Sequence, residues 1–290
     1  MNKTALLGLH AETPIHAGAS SSAYGVDLPI QREAPTDWPC IFGSSMKGAL
    51  RARAEADFQK KNLVRAIFGP DTDNASDHAG AVSIGDARLL LLPVRSLSSH
   101  FKWVTCPALL KRFANDCRRL GISGVPEAGS VPDVVIEQIL VVENSGPVFL
   151  EEFCLDSHME NGLNSWIDCF HRLFGLPVED LKHQLTVVHN DLFSTLTRFG
   201  LPVNAHIALD SATKTVKQGA LWYEETLPPE TVLYVPVLAG PSRYAEVELD
   251  ADVILTHLTD TLFENHPYLQ VGGNETTGMG WFRVSVTKAN

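Results

Sequence analysis

Strand-like and helix-like segments interleave along this chain without a regular β-α-β rhythm, and that order restricts the fold more than any single motif does. The segment TALLGLHAE places apolar residues at alternate positions, which predicts a strand. An Ala-rich segment predicts a helix that reaches about Lys60, with Ser44 or Ser45 as its N-cap. Because hairpin signals also occur, the pattern favours an α+β fold over a doubly wound parallel sheet.

Further elements are predicted across the rest of the chain. The segment LNSWIDCFHRLFG has apolar residues at helical intervals, and LDADVILTHLTDTLFENH predicts a helix capped by Asp250. Two β-rich runs flank the polar segment LDSATKTVKQG, which predicts a hairpin, and VVIEQILVVE predicts a strand. Residues 13–40 predict a long functional loop, whereas residues 96–135 predict irregular structure with one helix near residues 109–120.

The charge distribution bears on the choice of partner. A net charge of −11 argues by itself against nucleic acid, because phosphate binders are usually basic. Two segments reverse that sign locally: residues 43–66 hold six basic and two acidic residues, and residues 102–119 hold five basic and one acidic. A basic surface on an otherwise acidic protein therefore remains an alternative.

Cysteine usage and apolar runs indicate the cellular setting. The five cysteines form no C-x-x-C pair, which argues for reduced thiols and against a disulfide framework or a structural zinc site. No apolar run reaches the roughly 18 residues of a membrane span, and the opening residues predict a strand, not a signal peptide. We expect a cytoplasmic protein with no membrane partner.

The segment FGSSMKGALR is a strand-to-helix turn with features that attract phosphate. Free N–H groups and the positive end of a helix dipole favour anions, and Lys47 and Arg51 lie one turn apart on the same helix face. The order Lys-Gly does not match the nucleotide P-loop, which needs Gly-Lys followed by Ser or Thr. An ordinary capped helix with solvated basic residues explains the same segment equally well.

The segment VGGNETTGMGW holds four glycines between apolar strands. Glycine allows close backbone approach to a ligand or a positive φ, although a β-turn with a bulge is the simpler interpretation of this loop alone. A His-Gly loop, PIHAG, also occurs in the chain. Together these loops and the helix start indicate a polyanion bound over several residues.

Five segments, in order, carry a resemblance to a known family. They are TPIHAGASSSAYGVDLPIQRE, WPCIFGSSMKGALR, GDARLLLLPVRS, GALWYEETLP and GGNETTGMGW. In register from residue 4 to about 286, they resemble the RAMP family of CRISPR–Cas proteins, and within it the backbone subunit, subunit four, of the type III-B Cmr effector complex. One departure is Ser20, where the His loop of the family often has a second glycine.

The resemblance implies one domain over residues 1–290, with a ferredoxin-like, RRM-like palm, an insertion at about residues 96–135 and a protruding β-hairpin thumb near residues 195–228. It implies that copies stack as a filament along a CRISPR guide RNA, together with other Cmr subunits, and that the thumb disrupts the guide–target duplex at regular intervals. The RNA-binding residues that it implies are His16, Gly18, Ser44, Ser45, Lys47, Arg51, Gly272 and Gly273.

Asp27, in GVDLPIQRE, is the residue that the resemblance implies as the one that cleaves target RNA. RNA carries its own nucleophile, the 2′-OH, and a protein accelerates cleavage by aligning that oxygen with the phosphorus and the leaving 5′ oxygen. Asp27 then either helps to hold a divalent metal, Mg²⁺ or Mn²⁺, or accepts the 2′-OH proton. Metal-assisted cleavage is preferred, and both roles of Asp27 stay open. The alternative is a turn residue that hydrogen-bonds its own backbone.

Three more positions are interpreted through the resemblance. Tyr223 and Glu224 are accessory candidates near Asp27 of a neighbouring copy; the alternative for them, with Glu225, is a rim of solvated charge with an edge aromatic. His16 is expected to contact RNA or to assist cleavage, and the alternative is a histidine that bonds its own loop.

Two other function classes remain. In the first, the chain is a scaffold that binds guide RNA while a partner does the chemistry; loss of cutting by Asp27→Ala in an intact assembly argues against it. In the second, the chain is an acidic metabolic enzyme whose glycine loops bind a small phosphorylated ligand; copurification of RNA argues against that class.

Overall fold

The computed structural model describes residues 2–19, 25–58, 60–71, 77–143 and 146–289. Its strands are β1 (Lys3–Ala11), β2 (Cys40–Ile41), β3 (Val82–Ile84), β4 (Ala87–Arg95), β5 (Phe101–Thr105), β6 (Gln138–Val141), β7 (Val148–Leu150), β8 (Phe153–Met159), β9 (Leu185–Val188), β10 (Val203–Leu209), β11 (Val216–Glu225), β12 (Val232–Ala239), β13 (Tyr268–Gln270) and β14 (Trp281–Lys288). Its helices are α1 (Gly43–Asp57), α2 (Lys61–Phe68), α3 (Pro107–Leu120), α4 (Leu163–Phe174), α5 (Val178–Gln184), α6 (Asn190–Phe199) and α7 (Ala251–Thr256).

Four strands build a ferredoxin-like palm, in which β14, β1, β12 and β4 lie side by side in that order and are all antiparallel. Their order along the chain, with α1 before β4 and α7 before β14, is that of a βαββαβ unit with sheet order 4-1-3-2. Leu7 of β1 lies opposite Val235 on one side and Val286 on the other. The predicted α+β class and ferredoxin-like palm are confirmed.

Helices cover both faces of this palm. Alternate residues of β1 enter two separate cores, Leu7 on the side of α1, α2 and α7, and Leu6 on the side of α3 and α4. The second core holds an aromatic cluster made of Phe113, Trp166, Phe170, Phe174 and Tyr234. Because both faces are covered, bases cannot stack on this sheet as they do on the open sheet of an RRM. The loops at the strand ends are left to meet a ligand.

The start of α1 differs from the prediction. Its N-cap position is Phe42, whose side chain makes no capping hydrogen bond, and the amide of Gly43 donates to Oδ1 of Asp86 at 2.7 Å. The prediction of Ser44 or Ser45 as the N-cap is therefore wrong. A carboxylate from a distant part of the chain satisfies the first amide, so the helix begins before the serines. Asp250 holds the predicted N-cap position of α7, which continues into a π-helical turn, but its side chain also makes no capping hydrogen bond.

Within residues 96–135 the predicted helix near residues 109–120 is confirmed as α3, but the irregular structure predicted before it is wrong, because residues 101–105 form β5. Strand β5 pairs with β4, with Val104 opposite Leu92, and α3 begins with Pro107 in its first turn. Four of the five β5 residues are buried, so the strand lacks the alternation by which a half-buried strand is found. Strands β7, β8 and β9 were likewise not predicted, and the strand expected in VVIEQILVVE is limited to β6.

Strands β10 and β11 form a separate antiparallel sheet of their own, which confirms the predicted hairpin. The turn runs over residues 210–215, so the last part of LDSATKTVKQG belongs to β11 and not to the turn. Residues 195–199, inside the expected thumb, belong to α6. That this hairpin acts as a thumb stays a prediction. Within the described residues, no helix is long and apolar enough to cross a membrane.

Candidate functional site

Three loops meet at the ends of the palm strands. They are the His loop (residues 12–19), the Asp27 segment (residues 25–33) and the glycine loop (residues 271–280). An isolated bridge joins Gly18 to Ile30, and the amide of Gly273 donates to the carbonyl oxygen of His16 at 2.8 Å. The fold therefore brings together segments from both ends of the chain. Ser20 lies outside the described residues.

Asp27 is exposed, and its carboxylate is attached to the edge of β11. Its Oδ2 accepts from the backbone amide of Tyr223 at 2.9 Å. The next residue, Leu28, donates to the carbonyl of Tyr223 at 3.0 Å and accepts from the amide of Glu225 at 3.0 Å. The described residues form no second hydrogen bond to this carboxylate. Asp27 thus has one carboxylate oxygen, Oδ1, without a hydrogen-bond partner among the described residues.

The accessory candidates lie beside Asp27 of the same chain. Tyr223 is 43% exposed, whereas Glu224 and Glu225 are only 3% and 6% exposed. Burial shows that the rim of solvated charge considered for these residues is wrong for both glutamates. Their position near the Asp27 of a neighbouring copy stays a prediction.

His16 joins the His loop to β11. Its Nδ1 lies 2.8 Å from the carbonyl oxygen of Glu225, and because a carbonyl only accepts, Nδ1 carries a proton. The same Nδ1 lies 3.8 Å from Oε1 of Glu224, which accepts from the Asn274 amide of the glycine loop. The ring bonds a distant strand and not its own loop. His16 is largely buried, and the RNA contact or cleavage role expected of it stays a prediction.

Glu225 also holds the Asp27 segment through a buried ion pair with Arg32. Its Oε2 accepts from the amide of Ile30 at 3.0 Å, and Arg32 donates to the carbonyl oxygen of Thr197 at 3.0 Å. The pair fixes the segment that carries Asp27 against β11 and α6. Removing one partner of such a pair leaves an uncompensated buried charge, which is strongly destabilising.

Gln31 is a positioning residue that the sequence analysis missed. Its Nε2 donates to the carbonyl of Gly18 at 3.1 Å and lies 3.2 Å from Ser45 Oγ, and its Oε1 accepts from the amide of Phe42 at 2.6 Å. One buried side chain therefore ties the His loop to the start of α1. A glutamine in a predicted loop carries no signal of this role, because only the tertiary contacts bury it.

The predicted basic residues of α1 differ in what they contact. Lys47 lines a groove of about 540 Å³ together with Ser44, Gly48 and Arg51. Burial, and next the charge of Arg51, lower the pKa of Lys47. Its ammonium group pairs with no carboxylate in the described part of the chain. Lys47 is thus a cation available to a phosphate.

Arg51, in contrast, is engaged within the chain. Its guanidinium donates to Oδ1 of Asp71 at 2.6 Å, to Oε1 of Glu55 at 2.8 Å and to the carbonyl oxygen of Pro70 at 2.9 Å. These contacts fix the segment after α2 against α1. The RNA contact expected of Arg51 stays a prediction, and its present partners favour a structural role.

Contacts within the protein explain why two of the three predicted RNA-binding glycines, Gly18 and Gly272, are glycine, but they do not explain Gly273. Gly272 has φ +92°, and a Cβ there would lie 2.4 Å from the carbonyl oxygen of His16. A Cβ at Gly18 would lie 2.9 Å from the ring of His16. At Gly273 a Cβ would meet its nearest atom at 3.6 Å, an ordinary contact. The sequence indicated a close approach of the backbone to a ligand, whereas the structure shows a close approach of the glycine loop to the His loop. RNA contacts at these glycines stay predictions.

A divalent cation fits this site only as an ion shared with a ligand. The described residues hold no group of three or more His, Cys, Asp or Glu side chains placed to bind a metal. Asp27 supplies one oxygen, and Mg²⁺ commonly accepts one or two carboxylates with water and phosphate oxygens completing its shell.

Several known proteins are similar to this chain in sequence and in fold. Residues 9–283 match the RAMP superfamily. The chain is 35% identical to the CRISPR system Cmr endoribonuclease Cmr4 of Pyrococcus furiosus, over 98% of this chain and 96% of that protein. The crystal structure of oligomeric Cmr4 from Pyrococcus furiosus is similar with a TM-score of 0.76 and 28% identity, covering 99% of both chains. A chain of the type III-B Cmr-beta complex bound to cognate target RNA, seen by cryo-EM, is similar in fold with a TM-score of 0.73 and 19% identity, covering 99% of this chain and 97% of that one.

Proposed function

Because this chain belongs to the RAMP superfamily, we propose that it is an endoribonuclease and the repeated backbone subunit of a type III-B CRISPR effector complex. The identity to a Cmr endoribonuclease extends over nearly the whole chain and supports this function. The observation that carries it is the exposed Asp27 carboxylate, fixed at 2.9 Å from the Tyr223 amide where three loops meet.

The partners follow from the same proposal. Guide RNA runs along a filament of copies of this chain, target RNA pairs with the guide, and other Cmr subunits complete the complex. A relative of 28% identity is oligomeric in its crystal, which supports self-association. Lys47, whose ammonium pairs with no carboxylate among the described residues, is the residue best placed to contact a guide phosphate. The complex works in the cytoplasm.

Cleavage is an in-line transesterification. The 2′ oxygen attacks the phosphorus, the bond from phosphorus to the 5′ oxygen breaks, and the products are a 2′,3′-cyclic phosphate and a free 5′-OH. Oδ1 of Asp27 accepts the 2′-OH proton, while water supplies a proton to the leaving oxygen. The Tyr223 amide holds Oδ2, so the carboxylate keeps its orientation during the step.

A divalent cation, Mg²⁺ or Mn²⁺, belongs to the proposal as the alternative to the base: Oδ1 of Asp27 would then hold the cation and would not accept the 2′-OH proton. When bound, it neutralises the charge of the phosphate that is attacked. The chain itself contributes one carboxylate oxygen, so affinity for the cation depends on RNA being present.

The deciding variant is Asp27→Asn, which keeps the shape of the side chain and removes its charge. We expect cleavage of a labelled complementary RNA by the assembled complex to fall by about 10²-fold or more. Guide binding and assembly should persist, because other loops make the phosphate contacts. The matched control is Asp252→Asn, which removes an exposed carboxylate on α7 that pairs with Lys3 and should leave cleavage unchanged.

Two outcomes would change the proposal. Undiminished cutting by Asp27→Asn would make this chain a guide-binding scaffold and assign the chemistry to a partner. Full activity in EDTA would keep Asp27 as the base and remove the metal.

A further inference from the structure

The hairpin carries a stacked pair of aromatic side chains. His206 on β10 and Trp222 on β11 lie directly opposite one another, with ring centroids 5.5 Å apart and ring planes at 15°. Both are half-buried, so part of each ring meets solvent. The hairpin pairs with no strand of the main sheet in the described part of the chain.

The position of this pair relates it to the site. Alternate residues of a strand share a face, so Trp222 lies on the same face of β11 as Glu224, whose carboxylate meets Asn274 of the glycine loop. Between them, Tyr223 donates its amide to Asp27. One residue along a strand spans about 3.4 Å. The indole is therefore within one nucleotide's reach of the Asp27 carboxylate.

The pair offers the surface that a nucleobase requires. Aromatic rings stack with any base, because every base has a π face, and this stacking tolerates all sequences. Because the imidazole and the indole stack on one another, a base would extend this stack on the outer face of one of the two rings. The palm sheet cannot serve this purpose, since helices cover both of its faces.

We propose that His206 and Trp222 form a nucleobase platform, on which the target-RNA base next to the scissile phosphate stacks while Asp27 acts on that phosphate. This rests on the proposed function, since it takes RNA as the substrate. Trp222 is a positioning residue here: it holds the nucleotide so that the 2′ oxygen can reach the phosphorus in line.

A purely structural role for the pair is the competing explanation. Cross-strand aromatic pairs stabilise antiparallel sheets, and an isolated two-stranded hairpin is marginal in water. A loss of activity in a Trp222 variant is therefore insufficient by itself. The test therefore compares two changes: replacement of Trp222, and removal of the target base that would stack on it. If both act on the same contact, their effects do not add.

The first measurement is binding by the isolated full-length chain. Of the five tryptophans, Trp38, Trp103 and Trp166 are buried, whereas Trp222 and Trp281 are half-buried; Trp281 is present in both the wild type and the variant, so the difference between them reports Trp222. We expect a short oligoadenylate to quench the fluorescence of the wild type, and Trp222→Leu to lose most of that quenching. Equal quenching in both proteins would overturn the platform.

The second measurement is cleavage by the assembled complex, with either an intact target or a target that lacks the base beside the scissile phosphate. The wild type should lose about tenfold or more on the abasic target. Trp222→Leu should show a similar loss on the intact target and no further loss on the abasic one. Additive losses, or normal cutting by Trp222→Leu, would overturn the proposal.

The matched control is Ile207→Ala. Ile207 and Leu221 form the neighbouring cross-strand pair on the opposite face of the hairpin, so this variant reports hairpin stability alone. Cleavage by Ile207→Ala should still fall about tenfold when the target lacks the base. If the wild-type complex does not cut, the proposed function fails. The quenching measurement still tests whether a base stacks on His206 and Trp222.

Discussion

Lys47 and Arg51 lie one helical turn apart on α1. The guanidinium of Arg51 pairs with Glu55 and Asp71, whereas the ammonium of Lys47 has no carboxylate partner in the described structure. We predict that Lys47→Ala weakens RNA binding uniformly across sequences. The slope of log affinity against log salt concentration should become shallower by about the contribution of one phosphate contact. Filter binding or anisotropy over a range of salt concentrations measures both quantities. Weakening that depends on sequence would argue against contact with the RNA backbone.

The control for that prediction is Arg51→Ala. Because Arg51 contacts Asp71, Glu55 and Pro70, its loss should lower the free energy of unfolding by about 1–3 kcal/mol, seen as a lower melting temperature. The slope of RNA affinity against salt should change little. If Arg51→Ala instead reproduces the change in slope seen for Lys47→Ala, then Arg51 also contacts phosphate.

At the scale of elements, the hairpin contributes no residue to either of the two cores. Its turn residues 211–214 are exposed, and the carboxylate of Asp210 accepts the amides of Ala212 and Thr213 to close the turn. We predict that replacing residues 211–214 with a Gly-Ser turn leaves the melting temperature nearly unchanged and disturbs the spacing of target cleavage. Differential scanning fluorimetry and gel mapping of the fragments measure the two effects.

A core variant calibrates the stability measurement. Leu233→Ala removes a fully buried side chain of β12 and should cost about 2–5 kcal/mol. A loss of that size from the turn replacement would place the turn in a core contact and would remove the basis for a thumb at this hairpin.

At the scale of the whole molecule, the cysteines report on both cores. Cys40, Cys106, Cys117 and Cys169 are buried, and burial raises the pKa of each thiol to about 12, whereas Cys154 is exposed. Near pH 8 the four buried thiols therefore stay protonated and shielded. We predict that Ellman's reagent labels one thiol quickly in the native protein and all five in denaturant.

The slow phase of that labelling has a separate meaning. Reaction of a buried thiol requires local or global opening, so its rate should fall as the folded state is stabilised. Cys154→Ser removes the fast phase and serves as the control. Rapid labelling of more than one thiol in native protein would show that one of the two cores is loosely packed.

The sequence by itself determined the features that depend on neighbouring residues. Alternation in TALLGLHAE predicted β1, two β-rich runs around a polar turn predicted the hairpin, and the order of elements predicted the α+β class. Five segments identified the family and pointed to Asp27. Each of these signals comes from local periodicity, from turn chemistry or from a short motif read along the chain.

The tertiary structure alone decided what surrounds Asp27. The bond from Tyr223 to Asp27 joins residues 196 positions apart, and Gln31, Glu224 and Glu225 are buried only because the hairpin base packs against the His loop and the Asp27 segment. For the same reason Asp86, and not a nearby serine, satisfies the start of α1. Polar residues such as these carry no periodic signal, because their burial depends on partners that only the folded chain brings within hydrogen-bonding distance.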